Sequence, residues 1–245
     1  METSELLQNL QIIKNRIQQA CTHAQRNPDE VKLLLATKTV TPAQIITAIN
    51  AGYPLIAENK IQELKEKYEA LQPYPHCSHF IGHLQTNKIK EILKYDVECV
   101  QSLDRLDLAE KLQKRLEMED KTIDVLIQVN TSNEKSKFGI EPTKAIELTR
   151  AVALFDRIRI KGLMTIGLFS EEEAKVRPCF KLLKQIQQDI IAENIPNVEM
   201  KELSMGMSGD LEIAIEEGAT IIRVGTAIFG KRKYPDSYYW NEQKA

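Results

Sequence analysis

The apolar positions of this chain fall into runs of two alternating kinds. Leu6, Leu7, Leu10, Ile13, Ile17 and Ala20 recur at the spacing of one helix face, which predicts an amphipathic helix ending before Asn27-Pro28. A short apolar run follows, Leu33-Leu34-Leu35-Ala36-Thr37-Lys38, and Pro42 stands soon after it where a first helical turn accepts proline. A run this short and apolar predicts a strand covered on both faces, as in parallel sheets. Further strands are predicted at Leu55-Ile56-Ala57, Cys77 to Gly82, Val97 to Gln101, Ile123 to Asn130, Ile158 to Thr165, Val198 to Leu203 and Thr220 to Val224. Helical spacing fills the intervals. It covers Ala43 to Ile49 with a stop at Gly52, a charged stretch to about Leu71, and Asn87 to Leu93. It resumes from Leu106 to Leu116 with Ser102 as N-cap, from Pro142 onward, from Glu171 to Ala192, and in a segment ending at Gly218.

Eight strand–helix units without a compositional break predict a single (β/α)8 barrel, an α/β fold. It spans residues 1–230 including the extra N-terminal helix, and a short C-terminal tail follows at 231–245. A doubly wound open sheet is the alternative; it usually has fewer strands and a glycine-rich turn after the first, which is missing here. The tail carries Tyr234, Tyr238, Tyr239 and Trp240 and is too short for a second domain.

Composition narrows the partners. With 33 basic and 35 acidic residues the net charge is −2, and no basic block exists, so nucleic acid and anionic membranes are not expected as main partners. Cys21, Cys77, Cys99 and Cys179 lie far apart, which argues against a zinc site or disulfide framework and suits a reducing cytosol. The acidic start, Met1 to Glu5, does not read as a signal peptide, and no apolar run is long enough to span a membrane. A cytoplasmic location is therefore expected.

Candidate chemistry begins at Lys38. An ammonium beside a buried strand end is costly, so its pKa is expected to fall toward the neutral amine, the form that makes Schiff bases with carbonyl compounds. The plainer alternative is a lysine whose stem lies on the core while its head reaches solvent. Under the barrel reading Lys38, Asn59, His79, Asn130, Thr165, Ser204 and Arg223 fall at or near the C-terminal strand ends, where barrel enzymes keep their sites. The loops after the seventh and eighth strands contain Ser204-Met205-Gly206-Met207-Ser208-Gly209 and Gly225-Thr226. Barrels often bind a phosphate there, although such residues also serve as ordinary turns and caps. Two such loops together with a Schiff-base lysine point to a phosphorylated aldehyde. His79 and His83, on a strand and its following loop, read as a strand-end histidine and a rim group, and no metal is expected.

Six ordered motifs carry a family resemblance from about residue 31 to Gly230. They are Leu35-Ala36-Thr37-Lys38-Thr39, Glu58-Asn59-Lys60-Ile61-Gln62-Glu63, His79 to Lys88, Gln128-Val129-Asn130 with Glu134, Lys137 and Gly139, Gly162 to Thr165, and Leu203 to Ser208 together with Arg223 to Gly230. The chain thereby resembles the pyridoxal-phosphate-binding homeostasis proteins, whose barrel is similar to the N-terminal domain of alanine racemase. One departure is Ala57, where the family usually has glycine, and its methyl group bears on the backbone leading to Asn59.

The resemblance implies that Lys38 holds pyridoxal 5′-phosphate (PLP) as an internal aldimine. It implies that Ser204, Gly206 and the Gly225-Thr226 turn hold the phosphate. It also places Arg223 at the pyridine nitrogen, Asn59 on the 3-hydroxyl side, and Met164 and Met205 against the ring, although gap-filling in the core is an equal reading of the two methionines. An arginine at the pyridine nitrogen leaves it unprotonated and the ring a weaker electron sink. Racemases of this barrel type draw an acid–base group from a second domain and a partner subunit, and only a short tail follows Gly230 here. A monomeric carrier of the cofactor is therefore expected, without efficient turnover and with no catalytic residue, its partners being PLP and the apoenzymes that take it up. The alternatives are a slow amino-acid racemase using Tyr234, Tyr238 or Tyr239, and a Schiff-base aldolase without the cofactor.

Overall fold

Strand side chains in this protein alternate between two apolar environments, the inside of the sheet and the layer beneath the helices. The computed structural model describes residues 2–134, 136–170 and 172–230. Among the described residues eight parallel strands form a closed barrel in chain order: β1 (Lys32–Ala36), β2 (Leu55–Glu58), β3 (Cys77–Phe80), β4 (Cys99–Leu103), β5 (Ile123–Gln128), β6 (Ile158–Met164), β7 (Val198–Ser204) and β8 (Ile221–Val224). β8 pairs back onto β1, with Leu34 opposite Arg223 and Leu35 opposite Val224. Leu34, Ala57, Cys99, Leu126, Met164 and Ile221 make a small apolar group of their own inside the barrel. Their strand neighbours Leu35, Val100, Ile127, Leu163, Leu203 and Ile222 belong to the much larger core shared with the helices. The barrel expectation holds.

The helices are α1 (Thr3–His23), α2 (Pro42–Asn50), α3 (Ile61–Leu71), α4 (Ile89–Lys94), α5 (Leu106–Glu119), α6 (Ala145–Val152), α7 (Glu173–Ala192), α8 (Leu211–Glu216) and α9 (Thr226–Phe229). Pro42 opens α2, as its fixed φ favours. The expected N-cap role of Ser102 is not met. β4 runs through Ser102 to Leu103, and extended Arg105 precedes α5 with no side-chain cap. β1 likewise stops at Ala36, two residues short of Lys38.

The N-terminal helix has a definite structural task. The helix that follows β8 is only the four-residue α9, and α1 packs against α2, α8 and α9. It thus fills the place in the outer ring that a full eighth helix would take. Its buried face is Leu6, Leu10, Ile13 and Ile17, each contributing about 1.5–3 kcal/mol by leaving water. Polar groups on the same helix reach the loops at the barrel mouth. Asn9 Nδ2 donates to Ile228 O at 3.1 Å, and Arg16 Nη2 donates to Ser208 O at 3.1 Å while its Nε donates to Glu212 at 2.7 Å. Among the described residues no helix is long and apolar enough to cross a membrane. The aromatic tail at 231–245, with the tyrosines considered as acid–base groups, lies outside the described residues.

Candidate functional site

Lys38 stands in a tight turn just beyond β1. The Thr37 N–H donates to Ala57 O at 3.0 Å, extending the ladder with β2, and the Val40 N–H donates to Thr37 O at 2.9 Å, closing the turn over Lys38 and Thr39. Lys38 is 8% exposed. The barrel order places this turn between the ends of β8 and β2. Contact with β8 is close: a Cβ on Gly225 would stand 2.9 Å from Ala36 O, so the glycine allows the β8 loop to lie against the end of β1.

On the β2 side, Asn59 is 6% exposed and its Oδ1 is buried without a hydrogen-bond partner. A buried acceptor of this kind is rare in a finished structure and marks a place for a donor. Ala57 does not turn Asn59 away from the interior; it packs inside the barrel, in register with Ala36 and His79.

On the β8 side, Arg223 is 5% exposed. Its Nη1 donates to Ser204 Oγ at 2.8 Å and its Nη2 to Thr165 O at 2.8 Å. Burial pushes this guanidinium down to about 10, with Asp210 pulling the other way, so it is still a cation at neutral pH. Among the described residues no carboxylate lies within 4.0 Å of it. The chain therefore buries a positive charge at the mouth of the barrel, with Asp210 acting on it from beyond ion-pair distance.

A hydrogen-bonded line runs from Arg223 across the interior. Ser204 Oγ, accepting from Arg223, donates to Gln101 Oε1 at 2.6 Å, and Gln101 Nε2 lies 2.8 Å from His79 Nδ1. Burial, with the Lys32 charge, pushes His79 down to about 4, so at neutral pH it is an uncharged ring whose Nδ1 accepts from Gln101. Thr165 Oγ1 lies 2.9 Å from Thr131 Oγ1, which fixes the β5 and β6 ends beside Arg223. Gln101 and Thr131 were not among the sequence candidates. The sequence signal for Gln101 was its place as the polar last residue of the predicted strand Val97 to Gln101, and the structure buries it completely.

The expected residues divide into three groups. Lys38, Asn59, Met164, Ser204 and Arg223 gather at the C-terminal end of the interior, Met164 in the inner apolar group. Gly206, Gly225 and Thr226 line the loops of adjacent β7 and β8, joined where the Arg223 N–H donates to Gly206 O at 3.0 Å. Met205 belongs elsewhere: it is buried in the core between sheet and helices, one residue out of phase with Ser204, so the reading of it as a ring contact gives way to core packing. Asn130 is occupied in its own loop, donating to Glu134 O and Lys137 O. His83 stacks on Phe138 at the rim, ring centroids 3.9 Å apart.

The β7 loop is itself held from beneath. The Met207 N–H donates to Asp210 Oδ1 at 2.5 Å, Gly206 takes φ +90°, and a Cβ at Gly206 would come within 2.4 Å of Ala214 Cβ. The arrangement suits an anion: glycine backbone at two neighbouring loops, with the Thr226 hydroxyl beside it. The buried Lys38, on the turn next to the β8 loop, suits a carbonyl carbon.

Comparison with known proteins agrees with this geometry. Residues 8–233 match the family described as alanine racemase, N-terminal domain. The chain is 44% identical over 227 residues to the pyridoxal phosphate homeostasis protein of Aquifex aeolicus, covering 93% of this chain and 98% of that protein. A crystal structure of an unknown protein from Bifidobacterium adolescentis is similar with a TM-score of 0.87 at 38% identity, covering 93% of this chain and 95% of the other. The structure of PipY from Synechococcus elongatus with PLP bound is similar with a TM-score of 0.77 at 27% identity, covering 88% of this chain and all of the other.

Proposed function

The chain belongs to the pyridoxal phosphate homeostasis proteins of the alanine racemase N-terminal domain family, and from that membership we propose that it holds pyridoxal 5′-phosphate through a Schiff base on Lys38. In forming that bond the lysine nitrogen replaces the aldehyde oxygen, which leaves as water. The observation that carries the reading is the buried Arg223 charge, which has no carboxylate partner within ion-pair distance among the described residues. The other groups fit the same ligand. Asn59 Oδ1 is a buried acceptor in want of a donor, which a ring hydroxyl supplies. Gly206 and the Gly225-Thr226 turn present backbone to a phosphate. Ser204 fits as the residue that orients Arg223, since its hydroxyl already donates to Gln101.

The bound cofactor would supply an aldehyde carbon and an electron-accepting ring. The chain's own residues favour retention over turnover. Arg223 is a donor without an acceptor atom, so beside the pyridine nitrogen it donates a hydrogen bond and takes no proton. Inversion at a substrate carbon needs a second proton carrier opposite Lys38. His79 is a poor one, being buried, pushed down to about 4 and already bonded to Gln101. The protein is thus a carrier or buffer of PLP in the cytoplasm, exchanging it with apoenzymes.

The test has two stages. Titration with PLP should raise a visible absorbance band that saturates at one equivalent. The loaded protein is then held with each common L-amino acid in deuterated water while loss of the α-proton is followed. Exchange far below about 1 per second, the low end of ordinary enzyme turnover, supports the carrier; exchange at that rate or above makes the protein a racemase-like enzyme.

A further inference from the structure

One feature of the Glu58 to Glu63 motif is unused by the binding site, because the alternation of β2 turns Glu58 away from the barrel interior while Ala57 and Asn59 face into it. Glu58 is buried against α3, where Lys67 Nζ donates to Glu58 Oε1 at 2.7 Å and to Glu63 Oε2 at 3.3 Å. All three side chains grip the turn that carries Lys38. Lys67 Nζ donates to Thr37 O at 2.8 Å, Thr37 Oγ1 donates to Glu58 Oε1 at 2.6 Å, and the Thr39 N–H donates to Glu63 Oε2 at 3.0 Å. The residues on both sides of Lys38 are therefore tied down from outside the barrel.

We propose that Glu58, Glu63 and Lys67 form a clamp on the Thr37–Val40 turn, positioning residues that set where the Lys38 amine stands. The inference rests on the reading of Lys38 as the attachment point and deepens it. Two arguments support it. The first is backbone strain: Thr39 has φ +64°, a left-handed conformation that a β-branched residue adopts only when its surroundings impose it. The Glu63 carboxylate on the Thr39 N–H, with Lys67 on Thr37 O, is that imposition. The second is the cost of the cluster. A buried ion cluster is often no more stabilising than apolar side chains of the same volume, so its residues are better explained by the geometry they enforce.

Protonation makes the cluster self-consistent. Burial, and the facing Glu63 carboxylate, push Glu58 up to about 8 against the pull of Lys67. Burial works against Glu63 too, but the Glu58 acid proton, the Lys67 charge and the Thr39 amide together hold it below its ordinary value. With its pKa raised to about 8, Glu58 keeps its proton at neutral pH, so the cluster holds one acid beside one carboxylate and one lysine.

The test compares two ligands on the full-length protein: PLP, which can join Lys38, and pyridoxamine phosphate, which fills the same pocket but has no aldehyde. Lys67→Met and Glu63→Ala should weaken PLP about tenfold or more, the loss of charge-assisted bonds, while pyridoxamine phosphate changes little. Glu63→Gln keeps an oxygen for the Thr39 N–H and should recover much of the loss. If Lys67→Met does not fold, Glu63→Ala carries the test alone, since that side chain lies at the edge of the cluster, 14% exposed. Equal weakening of both ligands, or of neither, overturns the clamp. Lys38→Ala, run alongside, separates the two readings: it should abolish the preference for PLP. If it does while Glu63→Ala does not diminish the preference, the clamp alone fails; if Lys38→Ala leaves the preference intact, both fail.

Discussion

Pyridoxal, the same aldehyde without its phosphate, is expected to bind this protein at least about a hundredfold more weakly than pyridoxal 5′-phosphate. The two ligands share the ring hydroxyl that faces Asn59, but pyridoxal also closes its aldehyde onto its free 5′-hydroxyl, so pyridoxamine and pyridoxamine phosphate, which have no aldehyde, are titrated alongside to isolate the mouth of β7 and β8. Charge-assisted hydrogen bonds are worth roughly 1.5–3 kcal/mol each, and two of them already amount to about a hundredfold or more. The loops are built to make such bonds without further ordering. Arg16 and Asn9 of α1 fix them from outside, Asp210 fixes the Met207 amide, and Gly225 seats the β8 loop against Ala36. A preorganised loop loses little entropy on binding, so the bonds appear in the affinity. Competitive titration with the two compounds reads the ratio directly. Affinities within a few-fold of each other would remove the reason for assigning a phosphate to Gly206, Gly225 and Thr226.

Gly82→Ala is expected to cost about 3 kcal/mol or more of stability, enough to lower the fraction folded visibly. A Cβ at Gly82 would stand 1.9 Å from Asn59 O and 2.7 Å from Asn59 C, both backbone atoms that no rotamer change can move. The glycine is there because the end of β3 passes directly against the backbone that presents Asn59. Either the β3 end or Asn59 must shift, and neither is free: the Ile81 N–H donates to Glu58 O at 2.9 Å. Urea denaturation followed by circular dichroism measures the loss. A variant as stable as the parent would mean that the two strand ends separate easily and that Asn59 is not rigidly placed.

The barrel was legible because its periodicities are simple. Short apolar runs between helical stripes appear eight times, and each run becomes a strand. Strand ends were less legible, because polar residues that continue the ladder look like residues that leave it. Ser102 reads as a cap but is a strand residue, and Lys38 reads as a strand end but belongs to the turn beyond. Among the polar residues picked at strand ends, Ser204 and Arg223 interrupt apolar sequence, and the structure joins them by a hydrogen bond. The phase of a strand past its last ladder bond is a different matter. Met205 and Ser204 are neighbours in sequence, yet one packs under the helices and the other faces Gln101. The clamp on the Lys38 turn was beyond a reading of strands alone. Its Glu63 and Lys67 have the spacing of an ordinary exposed helical pair, and only the packing of α3 on β2 shows that Lys67 is buried beneath Thr37 with Glu63 half-covered beside it.

The central claim is that one amine, Lys38, carries the cofactor. Its most direct test is borohydride reduction of the PLP-loaded protein followed by proteolysis and mass mapping of the pyridoxyl group. A single modified lysine, Lys38, is expected, and no modified lysine in Lys38→Ala. A pyridoxyl group found mainly on another lysine, or undiminished in Lys38→Ala, would contradict it.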